Sequence, residues 1–323
     1  MEQYESSYSE FINPETTFPA AIHSWEIFLA NDGKSANTIK AFTADIQLLA
    51  SWLPPDRKIG AITSLDLTNF LDWMKHKRKV SCSEKTYSRR ITSIKSFFRW
   101  LKNFGIIAVD PAESVVQITV YAPVPDILTI EELPRVLETA NAFRFQKKPD
   151  VRPMALVQLL LATGIKKSET LAIAPNHIDM DDPEDPILHV RYNAGSQRFK
   201  ERKLPLPIDW IPVYNELLTQ EKPTDRIFPY SARMLEYLLA DVGKAAGLED
   251  QAQNPKHLSF NMCRWTSAVH DLYINVPEEF IRNKMGVSKV QWRDIYRKLV
   301  RLKDVYAGKT SVEELRSEKN PEE

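Results

Sequence analysis

Cysteine is nearly missing from this 323-residue chain: the two present, Cys82 and Cys263, lie far apart and form no C-x-x-C pair. That argues against a disulfide framework and against a cysteine zinc site. Long apolar runs are missing as well, the longest, around residues 155–165, being too short to cross a bilayer. The N-terminus is rich in Glu, Ser and Tyr and has no basic-then-apolar signal, so a soluble cytoplasmic protein is expected. Neither sign of charge dominates, with 43 basic and 43 acidic residues, which argues against a uniformly basic nucleic-acid coat. Neither G-x-x-x-x-G-K-[ST] nor G-x-G-x-x-G occurs, so nothing supports a nucleotide-phosphate loop. The six His residues show no ligand spacing. The acidic run at residues 179–185, flanked by Pro186, reads as an exposed turn rather than a cation site.

What is present is enough hydrophobic residue for packed cores, 43%, over a length that suits two domains. The charge is also unevenly placed. Between Lys75 and Lys102 ten Lys/Arg face a single acid, Glu84, which leaves the remainder of the chain acidic. A local cationic element of this kind is the footprint of a polyanion binder, although a solvated helix face has the same composition. Ser81 and Glu84 form a candidate capping box for a helix running to about Phe104. Tyr87, Ile91, Ile94, Phe98 and Leu101 make its buried stripe, and Lys85, Arg89, Thr92, Ser96 and Arg99 fall opposite. Cations interleaved with hydroxyls suit phosphate contacts that position DNA without reading its sequence.

Helical periodicity continues from Phe18 to Val116, with helices expected at 21–31, 35–53, 64–75 and the basic segment, stopped at Pro54 and Gly105. Residues 117–126 carry two prolines and no helical period and read as an extended linker. Beyond them Thr129 and Glu132 signal a helix start, and an apolar helix at 154–163 ends at Gly164. Two strands, 187–192 and 202–206, flank a loop at 193–201. Helices follow at 232–247, 262–273, 278–285 and 292–305, with a short one at 312–317.

Several segments together resemble the tyrosine recombinase (phage integrase) family. In the first half these are Ala36-Asn37-Thr38-x-x-x-Phe42-x-x-Asp45, Lys85-Thr86-x-x-x-Arg89-Arg90, and Ile94-Lys95-x-Phe97-Phe98-x-Trp100-Leu101, closed by Pro111. In the second half Thr163-Gly164-Ile165-Lys166-Lys167-Ser168-Glu169 is similar to the family's T-G-x-R-x-S-E box, and residues 200–206 to the end of its lysine hairpin. Asn261-Met262-Cys263-Arg264-Trp265-Thr266 stands where H-x-x-R-H-T is expected. Gly286-Val287-Ser288 and Tyr296 match the G-H-S…Y ending.

The resemblance implies a mainly α fold with a small β-sheet: a helical core-binding domain and an integrase-like catalytic domain forming a C-shaped DNA clamp. The implied division is a flexible arm (1–17), a SAM-like bundle (18–116), a linker (117–127), a catalytic-like domain (128–309) and an acidic tail (310–323). It implies double-stranded DNA as partner, self-assembly on DNA as dimer or tetramer through an exchanged C-terminal segment, a role in serving a mobile element, and no metal or nucleotide cofactor.

In the family a tyrosine attacks the phosphodiester, two arginines hold the non-bridging oxygens, a hairpin lysine protonates the leaving oxygen and histidines assist. Tyr296 and Arg264 match the nucleophile and second arginine. Lys166 replaces the first arginine, keeping charge but losing the planar fork. Asn261 and Val287 replace the two histidines. Strict alignment puts Gln197 at the hairpin lysine, with Arg198 or Lys200 as substitutes, and Arg198 and Arg202 join the expected DNA contacts. Three readings stay open: a divergent working recombinase, a catalytically impaired DNA-binding accessory or architectural relative, and a helical protein–protein adaptor.

Overall fold

The computed structural model describes residues 12–80, 82–117, 123–192, 195–250 and 255–317. Contacts group the chain into two compact units, Met1–Ala122 and Pro123–Glu323.

The first unit is a helical bundle: α1 Phe18–Asn31, α2 Ala36–Trp52, α3 Ser64–Asp72, which runs on into a π turn at Trp73–Lys77, and α4 Glu84–Asn103. Side-chain caps set the starts. Ser35 accepts the Thr38 N–H at 3.2 Å, and Thr63 and Asp66 satisfy each other's backbone N–H groups. The cap of α4 is Ser83, which accepts from Thr86 at 3.3 Å. Ser81, expected to hold that position, lies outside the described residues, two residues before the true cap. Inside, Trp25, Phe97 and Phe98 pack edge to face at centroid distances of 5.1 and 5.3 Å, all fully buried.

The arm expected at 1–17 is not loose over its described part. Ile12 is buried in the bundle core, and the Ile59 and Gly60 N–H groups donate to Thr16 and Pro14 carbonyls at 3.0 and 2.9 Å. Gly60 is required for this approach, since a Cβ there would sit 2.5 Å from the Pro14 Cβ. Residues 1–11 lie outside the described residues.

The second unit contains α5 Glu132–Ala142, α6 Arg152–Thr163, α7 Lys167–Thr170, α8 Trp210–Glu221, α9 Ala232–Ala245, α10 Phe260–Tyr273, α11 Glu278–Met285, α12 Lys289–Tyr306 and α13 Val312–Ser317. Its sheet is antiparallel in the order β1 Ile178–Asp179, β2 Ile187–Val190, β3 Arg202–Pro205, with Leu188 opposite Leu204. Helix α6 is apolar nearly all round and packs on α5, α8 and α10, so it is the centre of the larger core. A second cluster joins α10, α11, α12 and α13.

Three expectations need correction here. Asp179 belongs to a strand, not to an acidic turn. The linker expected at 117–127 ends early: Val124 and Ile127 are buried in the α10–α13 cluster, and 118–122 lie outside the described residues. The acidic tail expected from residue 310 is folded through Ser317. Val312 and Leu315 are buried, Arg316 donates to the Val124 carbonyl at 2.6 Å, and Arg301 donates to the Leu315 carbonyl at 2.8 Å.

Candidate active site and nucleic-acid interface

Helix α6 stops at Gly164, whose φ of +59° turns the chain so that Lys166 leads into α7. Glu169 reaches back and accepts the Lys166 backbone N–H at 2.8 Å. Helix α10 brings Arg264 to the same turn. One end of its guanidinium donates to the Gly164 carbonyl and the other to the Met285 carbonyl at the end of α11. The Lys166 ammonium donates to the next carbonyl, Gly286, at 3.1 Å and stands 3.7 Å from Glu169 Oε1. Lys166 and Arg264 are therefore joined through the same two turns, 164–166 and 285–286.

Beneath them lies an ion pair from β3. Arg202 donates to both Glu169 oxygens at 3.0 and 2.9 Å and to the Lys284 carbonyl at 2.9 Å, and the Tyr192 hydroxyl also donates to Glu169. Gly286, with φ +55°, lets Arg202 pass, since a Cβ there would come within 2.6 Å of the guanidinium.

The electrostatics follow from this packing. Burial alone would raise the Glu169 pKa, yet hydrogen bonds and charge from Arg202, with the Lys166 N–H and Tyr192 hydroxyl, hold it at about 2. Burial pushes Arg264 down to about 10, and Arg202 adds to the effect against the pull of Glu169. Burial also lowers Lys166, as do Arg264, Arg202 and Lys200, while Glu169 opposes them. Three cations, Arg202, Lys166 and Arg264, thus share one ionised carboxylate, a local surplus of positive charge ready for an anion.

The other expected site residues are less tightly joined. Lys200, half-buried, places its ammonium 5.2 Å from the centre of the Phe199 ring and shares with Gly286 and Val287 the lining of a cavity of about 750 Å³. Asn261 is exposed on the first turn of α10. Val287 packs on the α10–α13 cluster, as does Tyr296, whose ring is 5.7 Å from that of Trp292. Among the described residues no hydrogen bond links the Tyr296 hydroxyl to Lys166 or Arg264. Arg198 is exposed on the hairpin.

Two expected DNA contacts are reassigned. Arg202, 8% exposed in its side chain, is committed to Glu169 and is a positioning residue. Arg89 donates to Asp45 and to the Ala41 carbonyl, and so ties α4 to α2. Asp45, 4% exposed, also accepts from Ser93 at 2.7 Å and stands 3.5 Å from Arg90. Lys85, Thr92 and Arg99 are exposed and Ser96 is half-buried. Neither Lys85 nor Arg99 is in an ion pair among the described residues. The expected roles omitted Glu169 and Tyr192; the visible signal for Glu169 was an acid three residues after Lys166.

Comparison with known proteins agrees with this architecture. The chain is 23% identical to a tyrosine recombinase XerD of Listeria innocua over 297 residues, covering 86% of this chain and 94% of the relative. It is 32% identical over 152 residues to a XerC of Roseiflexus castenholzii, covering 46% and 47%. Among solved structures, a lambda integrase dimer bound to a COC′ core site superposes with a TM-score of 0.66 at 15% identity, covering 91% of this chain and 81% of that one. XerH recombinase bound to palindromic difH substrate, a post-cleavage complex, gives 0.67 at 16% identity, covering 83% and 78%. Residues 22–105 match the phage integrase N-terminal SAM-like domain and residues 126–301 the phage integrase family, to which this chain belongs.

Proposed function

We propose that the protein binds duplex DNA and acts in site-specific recombination or integration, exchanging strands through a phosphotyrosine at Tyr296. The observation that carries this reading is the joining of Lys166 and Arg264 over the Gly164 and Gly286 turns, with Glu169 and Arg202 fixing them from below. A pentavalent phosphorane gains charge on its equatorial oxygens, and two pre-positioned cations in a partly buried site stabilise it without reorganising. The unit bearing Lys85 and Arg99 and the unit bearing the phosphate site each contact the duplex, and copies assemble on paired sites. The relatives' names and the DNA-bound integrase and XerH complexes support this reading.

A second reading is a DNA-binding relative that has lost the chemistry. It is favoured by Val287, which has no proton to exchange, and by the Tyr296 hydroxyl, which among the described residues has no hydrogen bond to Lys166 or Arg264. Incubation with sheared DNA of the source organism, followed by capture of covalent protein–DNA adducts, separates the two. Adducts that vanish in Tyr296→Phe support strand exchange. Salt-sensitive DNA binding with no adduct supports the second reading, and no DNA binding at all removes both.

A further inference from the structure

We propose that Lys166 both holds the phosphate and donates the proton to the departing 5′-oxygen. The inference rests on the phosphotyrosine reading. It starts from which groups around the site have a proton to give. Glu169 is held ionised by Arg202, and the Tyr192 hydroxyl is engaged with Glu169. Arg202 and Arg264 are guanidinium groups, which keep their protons. The hairpin position nearest in alignment is Gln197, an amide. Among the amines, Lys284 donates to Asp271, Lys167 donates to Glu236, and Lys203 is on the face of β3 opposite Arg202, which leaves Lys166 and Lys200.

Geometry separates these amines. The Lys166 ammonium donates to the Gly286 carbonyl at 3.1 Å, next to the Met285 carbonyl held by Arg264, so both cations face the same turn. It has three hydrogens, and its side chain is 33% exposed, open enough to meet a substrate. Lys200 instead lies over its neighbour Phe199. Burial, joined by Arg264, Arg202 and Lys200 and opposed by Glu169, also weakens the hold of Lys166 on its proton.

In cleavage the Tyr296 phenol gives its proton to water and its oxygen bonds to phosphorus. The bond between phosphorus and the 5′-oxygen breaks, its electron pair stays on that oxygen, and the Lys166 proton moves there. In rejoining, the neutral Lys166 amine takes the proton back as the 5′-hydroxyl attacks, so no reagent is consumed.

The test uses two duplexes of the sequence recovered by adduct capture, one with the normal bridging 5′-oxygen at the cut and one with sulfur in its place. A thiolate leaves without protonation. Lys166→Arg, which keeps the charge on the phosphate, should slow cleavage of the oxygen duplex by about 100-fold or more and regain most of that loss on the sulfur duplex, whereas Lys166→Met, which loses the charge as well, should be slowed further and regain only the part due to the proton. Equal slowing on both duplexes would overturn the proposal and leave Lys166 as a phosphate contact alone. Rescue by sulfur in Lys200→Met but not in the Lys166 variants would move the role to Lys200. Failure of the unmodified protein on both duplexes would remove the phosphotyrosine reading itself.

Discussion

Glu169 has a side chain that is 1% exposed, yet it stays charged because Arg202, the Lys166 N–H and Tyr192 converge on it. Its folded pKa of about 2 lies below the ordinary 4.5, so the stabilisation is complete above 4.5 and drains away as the pH falls toward 2. Glu169→Gln should therefore cost on the order of 3 kcal/mol at pH 7 in urea unfolding and flatten the acid limb of the stability profile. An unchanged acid limb would show that another carboxylate governs it. Gly286→Ala meets both a positive φ and the Arg202 guanidinium. A loss of about 1–3 kcal/mol is expected, and a smaller loss would mean that Arg202 can move aside.

At the level of elements, α4 is held by its cap and by one buried carboxylate. Ser83→Ala should cost about 1 kcal/mol in thermal or urea unfolding. Asp45→Asn leaves Arg89 and Arg90 facing an amide, and about 3 kcal/mol should be lost. Elements with clear stops were legible in the sequence. The range 278–285, closed by Gly286, and the short 312–317 helix fold over the residues their patterns indicated. Helix α8 was not, because Pro212 in its first turn reads as a loop signal although it is tolerated there. Strand β1 has two residues, too few to show alternation. Arg89 and Arg202 read as DNA contacts because their partners, Asp45 and Glu169, lie far away in sequence, and a helical wheel cannot show them.

For the whole molecule, two units with separate cores and a neutral total charge leave DNA affinity to a few uncommitted cations. Lys85→Gln with Arg99→Gln should reduce the slope of log binding constant against log salt by about 2, one phosphate for each cation. A slope that does not change would place the contact elsewhere. The site was legible as a set of residue types in the right order, and its wiring was not, since carbonyls 164, 285 and 286 carry no sequence signal. That wiring has a mechanical result. Arg202 fastens the β-hairpin to the Lys284 carbonyl, a few residues ahead of the helix that bears Tyr296. On the proposed reading, a load that a bound strand applies to the hairpin tip passes along one guanidinium lever to the base of the helix that bears Tyr296, and cutting that lever should uncouple grip from reactivity.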